Sequence, residues 1–238
     1  MPQYPLHQTQ DKRAVISLGG SLVIDKQEVN IKHLSAFRKF ILSQLKQGWR
    51  FFIIVGGGSQ ARTYIKAATK IMGKEITKID QDWLGIHATR FNAHLVRTIF
   101  RKHAQQVIIN DPEVDEITDA PIIIGGGWKP GWSTDYVASK VAQRVKAPYV
   151  INLSDVKQVY TDDPKKNPDA KPIEQMSWAD YRKMVGDEWT PGMNTPYDPI
   201  AAKLAQAEGQ TVLIMNGNNL ENLRGIFTKG EFTGTILS

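Results

Sequence analysis

The sequence predicts an α/β protein with a mostly parallel sheet covered by helices on both faces. Two observations predict it. Short apolar runs alternate with amphipathic stretches along the whole chain. Three of those runs end in glycine, "AVISLGG" (14–20), "FFIIVGGG" (51–58) and "PIIIGGG" (121–127), as strands feeding tight turns do.

Each element follows from its spacing. Residues 14–20 read as a strand, and "LSAFRKFILSQLKQG" (34–48) has helical periodicity and stops at Gly48. Residues 51–58 form the second strand, and "SQARTYIKAATKIMG" (59–73) a helix closed by Gly73. "LGIHATRFNAHLVRTIFRKH" (84–103) is a longer helix with Ile86, Phe91, Leu95 and Ile99 near one stripe. Strands at 106–110 and 121–127 precede a helix at 134–147 and a strand at 148–154. Residues 159–173 are rich in turn formers. Helices at 177–186 and 198–209 and strands at 211–217 and 232–237 complete the chain. The expected organisation is a flexible polar arm over 1–12 and a single domain over 13–238. A change of character near residue 148 divides that domain into lobes of about 13–147 and 148–238, served by one continuous sheet.

Composition narrows the chemistry. The 238 residues include no cysteine, which excludes disulfides, thiolate metal sites and cysteine nucleophiles. No apolar run reaches the roughly 18 residues of a membrane span, and the first dozen residues lack an apolar signal core. A soluble cytoplasmic protein with no membrane partner is expected. The net charge is +6, but the basic residues are scattered and their densest cluster is Lys165-Lys166, so no nucleic-acid partner is expected. His87, His94 and His103 take helical positions, His7 and His33 fall in surface segments, and the five are not spaced as a metal site.

The glycine turns carry the chemistry. Open α/β sheets bind ligands at the carboxyl ends of their strands, where glycine lets backbone approach a ligand and the next helix points free N–H groups at negative charge. Three such turns suit two phosphorylated ligands meeting face to face. No G-x-x-x-x-G-K-[ST] occurs, so a P-loop is out. "GGGSQA" (56–61) fits a dinucleotide fingerprint, with Asp80 or Asp82 about twenty residues on. The acidic residue should end a strand, however, and "KEITKIDQD" (74–82) is no buried strand. Positive side chains surround the turns: Arg62 four residues after Gly58, Lys129 in the third turn, and Lys165 and Lys166.

With these motifs in order, the chain resembles the amino-acid kinase superfamily and, within it, the archaeal-type uridylate (UMP) kinases. The likeness runs from residue 14 to 237. It rests on "ISLGGSL" (16–22), "VGGGSQARTYI" (55–65), "DWLGIHATRFNA" (82–93), "GGGWKPGWSTDYVA" (125–138), "VYTDDPKKNPDAKPI" (159–173), "DPIAAKLA" (198–205) and "FTGTIL" (232–237). The resemblance implies a three-layer αβα sandwich, transfer of the γ-phosphoryl group of Mg-ATP to UMP, and a homo-oligomer, a hexamer. It implies that Gly19, Gly20, Ser21 and Gly58 meet ATP, with Ser154, Asp155, Tyr160 and Asp163 lining its side. Gly57 and Gly58 would lie between the two nucleotides, with Gly57 on the UMP side. Arg62 would hold the phosphates being joined, with Lys165 and Lys166 as further catalytic cations. Asp82 would accept from the UMP ribose, and Lys129, Pro130, Gly131, Trp132, Ser133, Thr134 and Asp135 would wrap UMP.

The chain also departs from the family. Many relatives carry a lysine on the first strand where this chain has Ser17, and the nucleotide loop often reads asparagine-x-aspartate-glycine where this chain has "DVKQ" (155–158). Trp128 and Trp132 replace small or polar residues and could stack on a base or pack between subunits. A phosphate monoester is mostly dianionic at neutral pH, so no general base is needed; neutralising and aligning two anions is the task. Magnesium would bind mainly through the phosphates, with Asp155 or Asp163 near its waters and no direct protein ligand assigned. The rivals are a kinase of the same fold with another acceptor, a non-catalytic nucleotide- or oxyanion-binding protein, and a dehydrogenase.

Overall fold

The computed structural model describes residues 8–188 and 195–238. In chain order the elements are β1 (Arg13–Leu18), α1 (Gly20–Val23), β2 (Ile24–Asp25), β3 (Glu28–Val29), α2 (Ile31–Leu45), β4 (Arg50–Val55), α3 (Gly58–Met72), α4 (Lys78–Ile99) and β5 (Ile122–Gly125). There follow α5 (Thr134–Val145), β6 (Tyr149–Ser154), β7 (Val159–Tyr160), β8 (Pro172–Ile173), β9 (Gln175–Met176), α6 (Trp178–Val185), α7 (Pro199–Ala207), β10 (Thr211–Asn216), α8 (Leu220–Thr228) and β11 (Thr235–Leu237).

One seven-stranded sheet, ordered β5-β4-β1-β6-β10-β11-β9, runs through the chain. Every pairing in it is parallel except β10 with β11. The strands obey the period of two that sends alternate side chains to opposite faces. Phe51, Ile53 and Val55 of β4 join a core with α2, α4 and α8, while Phe52 and Ile54 join the opposite core with α5, α6 and α7. Two cores on either side of one sheet make the fold an αβα sandwich. Among the described residues no helix is long and apolar enough to cross a membrane.

Several expectations are corrected. Residues 106–110 form no strand, only the bridges Ala104–Ile122 and Ile109–Gly125 beside β5. Helix α4 starts six residues earlier than periodicity suggests, because Thr77 and Asp80 close a reciprocal capping box at its start. Asp80 is therefore a helix cap and Asp82 a helical residue, which removes the strand that a dinucleotide fold needs there. Helix α8 was not expected, since no element was assigned between 217 and 232: Asn219 caps the helix, and Gly225 passes too close to the Glu231 carbonyl for any side chain. His33 is not a surface residue; it is buried beside Phe37, and burial pushes its imidazole pKa down. Of the expected arm, residues 1–7, His7 among them, lie outside the described residues. Lys12 is held, its carbonyl accepting from Arg50 N at 2.8 Å.

Candidate active site

The carboxyl ends of β1, β4, β5 and β6 open on a cleft of about 380 Å³, within the usual range of small-ligand sites of roughly 300–1,000 Å³. Its centre is two interlocked glycine turns. Gly56 N donates to Leu18 O at 2.9 Å, and Gly19 N to Leu153 O at 2.7 Å, so the turns continue the sheet register. A Cβ on Gly20 would overlap the Gly58 backbone, and one on Gly56 would sit 2.6 Å from Gly20 N. Gly58 itself has φ +64°, a left-handed conformation that favours glycine. The glycines are thus required by backbone meeting backbone. The same requirement leaves the amino end of α3 facing open space, with Arg62 on its first turns.

Helix α4 fixes one wall of the cleft. Asn92, fully buried, donates to Gly56 O at 2.9 Å and Gly57 O at 3.2 Å. Thr89 Oγ1 accepts from Gly127 N at 2.6 Å while donating to Ile86 O. Arg90 donates from Nε to Gly127 O and from Nη2 to Trp128 O at 2.8 Å. Asp82 Oδ2 accepts from Gly131 N at 2.8 Å, tying the tip of the third turn to the same helix. Thr89, Arg90 and Asn92 escaped the sequence reading. The available signal was polarity on the buried stripe that also carries Ile86, Ala93 and Val96.

Beyond the third turn, Ser133 caps α5, its hydroxyl accepting from Tyr136 N at 3.1 Å. Asp135 follows within the first turn of α5. Its Oδ1 accepts from Ser17 Oγ at 2.8 Å and Asn152 Nδ2 at 2.9 Å, and its Oδ2 from Asp198 N at 3.3 Å. Protein surrounds this carboxyl, and the residue as a whole is half-buried and lines the cleft. Desolvation pushes its pKa up to about 6, and the Ser17 hydrogen bond opposes that only in part.

The cleft brings together most of the expected residues. Gly19, Gly20, Gly58, Ser154 and Asp155 line one side; Gly57, Arg62, Asp82, Trp132, Ser133, Thr134 and Asp135 line the other. Ser21, Lys129, Pro130, Gly131, Tyr160, Asp163, Lys165 and Lys166 do not line it. Tyr160 pairs with Pro172 in the β7–β8 hairpin. Asp163 accepts from Lys165 N at 3.0 Å and pairs with Lys166 Nζ at 4.0 Å, out in solvent. Lys129 Nζ sits 3.7 Å over the Trp128 ring. The two tryptophans pack within the chain: Trp132 stands 4.0 Å from Tyr136 and 6.0 Å from Trp128, which is buried. Only Trp132 of the pair faces the cleft. Among the described residues no three His, Asp or Glu side chains group as a metal site.

A sheet of this topology with glycine turns and helix starts gathered over its carboxyl edge defines a phosphate-handling α/β protein. The chain belongs to the amino acid kinase family, whose model matches residues 12–216. It is 33% identical over 228 residues to a uridylate kinase of Methanospirillum hungatei, covering 94% of each chain. It is 32% identical to a uridylate kinase of Pyrococcus abyssi, covering 94% of this chain and 99% of that one. The crystal structure of uridylate kinase from Archaeoglobus fulgidus superposes with a TM-score of 0.76 at 30% identity, over 94% of this chain and 99% of its own. UMP kinase from Bacillus anthracis, 22% identical, shares the fold at the same TM-score.

Proposed function

We propose that the chain is a uridylate kinase, transferring the γ-phosphoryl group of ATP to UMP to give UDP and ADP. The observation that carries this is near-full-length similarity to uridylate kinases, with the paired glycine turns and Arg62 lining one cleft. A UMP phosphate oxygen forms the new bond to Pγ as the bond from Pγ to the bridging oxygen of ATP breaks, and ADP leaves with that electron pair. The nucleophile is already a dianion near neutral pH, its second pKa being about 6, so no base is required. The protein supplies alignment and neutralisation.

In this reading Gly19, Gly20, Gly58, Ser154 and Asp155 hold ATP. Gly57, Asp82, Trp132, Ser133 and Thr134 hold UMP, and Arg62 draws the two sets of phosphates together. The fold's ATP lobe would be residues from about 148 onward. Magnesium would arrive on the ATP phosphates, which supply most of its ligands, and Asp155 lines that side of the cleft. When bound, the ion would offset phosphate charge.

A homo-oligomer, a hexamer, belongs to the same proposal. Helix α3 buries none of its side chains fully; Tyr64, Ile71 and Met72 on it are exposed, as are Ile79, Trp83 and Phe91 of α4, the helix packed beside it. Exposed apolar side chains on two neighbouring helices suit a subunit contact.

The testing experiment is ADP release from Mg-ATP with each nucleoside monophosphate as sole acceptor. Strong release with UMP alone is expected. Release with a different acceptor would mean another kinase of the family, and release with none a nucleotide- or oxyanion-binding protein.

A further inference from the structure

Asp135 stands out because it lines the cleft without a cation to answer it. Its hydrogen-bond partners are neutral: the Ser17 hydroxyl on β1, the Asn152 amide on β6 and the Asp198 backbone N–H at the start of α7. The nearest charge is unfavourable. Asp198 is buried, and its carboxylate raises the Asp135 pKa further. Tyr197 and Tyr181, from the α6–α7 side, bring hydroxyls only: Tyr197 Oη bonds Ser139 Oγ and lies 3.4 Å from Asp135 O, and Tyr181 donates to Tyr197 O. Across the cleft, α3 contributes Arg62, α4 contributes Asp82, and the segment after β6 contributes Asp155. Among the described residues that line the cleft Arg62 is the one cation, and no lysine or histidine joins it.

Phosphates entering such a cleft meet a carboxylate whose charge is already costly. Each added negative charge disfavours ionisation further. The two oxygens of Asp135 are not equivalent: Oδ1 accepts two short hydrogen bonds, and Oδ2 one long one. Oδ2 is therefore the oxygen left to take a proton, and Asp135 is among the residues that line the cleft.

Resting on the uridylate kinase reading, we propose that Asp135 carries a proton on Oδ2 whenever UMP occupies the cleft, and that binding UMP draws this proton from solution. The O–H bond forms at Asp135 as the buffer acid loses its proton, and no other bond changes. Asp135 is thus a positioning residue that keeps Ser17 and Asn152 in place without opposing the phosphates. The partial desolvation already present prepares it: the carboxyl needs only a modest further push to stay protonated above neutral pH.

The test is calorimetric titration of the full chain with UMP at pH 7.5 in two buffers of different ionisation enthalpy. UMP is almost wholly dianionic at that pH and brings no proton of its own. The wild type should take up most of a proton per UMP, and its Kd should rise severalfold from pH 7 to pH 8, as proton-linked binding requires. Asp135→Asn keeps an acceptor at Oδ1 and a fixed donor in place of the protonated oxygen, so its uptake should vanish and its Kd should become nearly flat with pH. Asp198→Asn retains the helix cap and removes the neighbouring charge. It should lower the uptake at pH 7.5 without abolishing binding, and it keeps the test decisive should Asp135→Asn fail to fold. Binding without proton uptake in the wild type, or uptake unchanged in either variant, overturns this inference and leaves the kinase reading intact. Absence of any binding heat overturns the kinase reading and this inference with it.

Discussion

The two sides of the cleft are built differently. On the α4 side, which the proposed function assigns to the acceptor, four side chains of one helix, Asp82, Thr89, Arg90 and Asn92, hold the backbone of the second and third glycine turns in place. On the other side, Ser154 and Asp155 line the cleft at the end of β6, and then the chain leaves it. Tyr160 goes into a two-stranded hairpin, and Asp163, Lys165 and Lys166 are occupied with one another in solvent. The contrast separates two kinds of site residue. Some positions are fixed because the backbone cannot run otherwise, and others depend on where a loop places a long side chain.

The largest effect should come from breaking the fixed kind. Gly20→Ala puts a methyl group into the Gly58 backbone and within 2.7 Å of the Gly56 carbonyl carbon. Neither turn can withdraw without parting the ends of β1 and β4. Overpacking of this sort costs about 3 kcal/mol, so denaturant unfolding should show a loss near that size together with loss of turnover. Full stability in Gly20→Ala would mean that the turns are not interlocked and would dissolve the contrast. Next in size is Arg62→Ala. Arg62 is exposed in the free protein, so its removal should leave stability unchanged, but it is the one cation among the described cleft-lining residues. Turnover with saturating UMP should fall by about 100-fold or more, the scale of losing one preorganised donor to developing charge. Near-normal turnover would show that neutralisation comes from elsewhere, and the lysine pair would be the first place to look.

This difference also explains what the sequence disclosed. The glycine turns were legible because only backbone contact demands glycine at Gly20 and Gly58, and the turns follow apolar runs that can only be buried strands. The sheet and its mostly parallel order came with them. Helix α8 was hidden by Asn218, Asn219 and Gly225, residues that locally favour a loop and are overridden by packing of Leu223, Ile226 and Phe227 on the sheet. The true start of α4 was hidden because a capping box, rather than apolar spacing, sets it. Within the site, Asn92 and Thr89 were missed because their partners are main-chain atoms more than thirty residues away, which leave no local pattern. Asp135 was expected to face UMP, and it does line the cleft. Its bond to Ser17, 118 residues distant, shows that the serine on the first strand has a partner of its own. A sequence departure thereby becomes part of a polar network.

The smallest effect is expected where the side chain is free. Lys165 and Lys166 lie in a turn after β7, and Lys166 is mostly exposed beside Asp163. An exposed pair of this kind contributes between nothing and about 1 kcal/mol, so replacing both lysines by alanine should leave stability as it was. The effect on turnover decides how the two sides of the cleft work together. If the loop stays where the structure puts it, the double variant should lose less than about fivefold in kcat, and KM for UMP should not change. If the loop folds over the ATP phosphates during the cycle, the loss should approach that of Arg62→Ala and should appear as a raised KM for ATP with a lowered kcat. Loops that close on substrate often produce that joint change. In that case the side of the cleft that is open in the free protein is completed by its nucleotide, while the acceptor side stands ready beforehand.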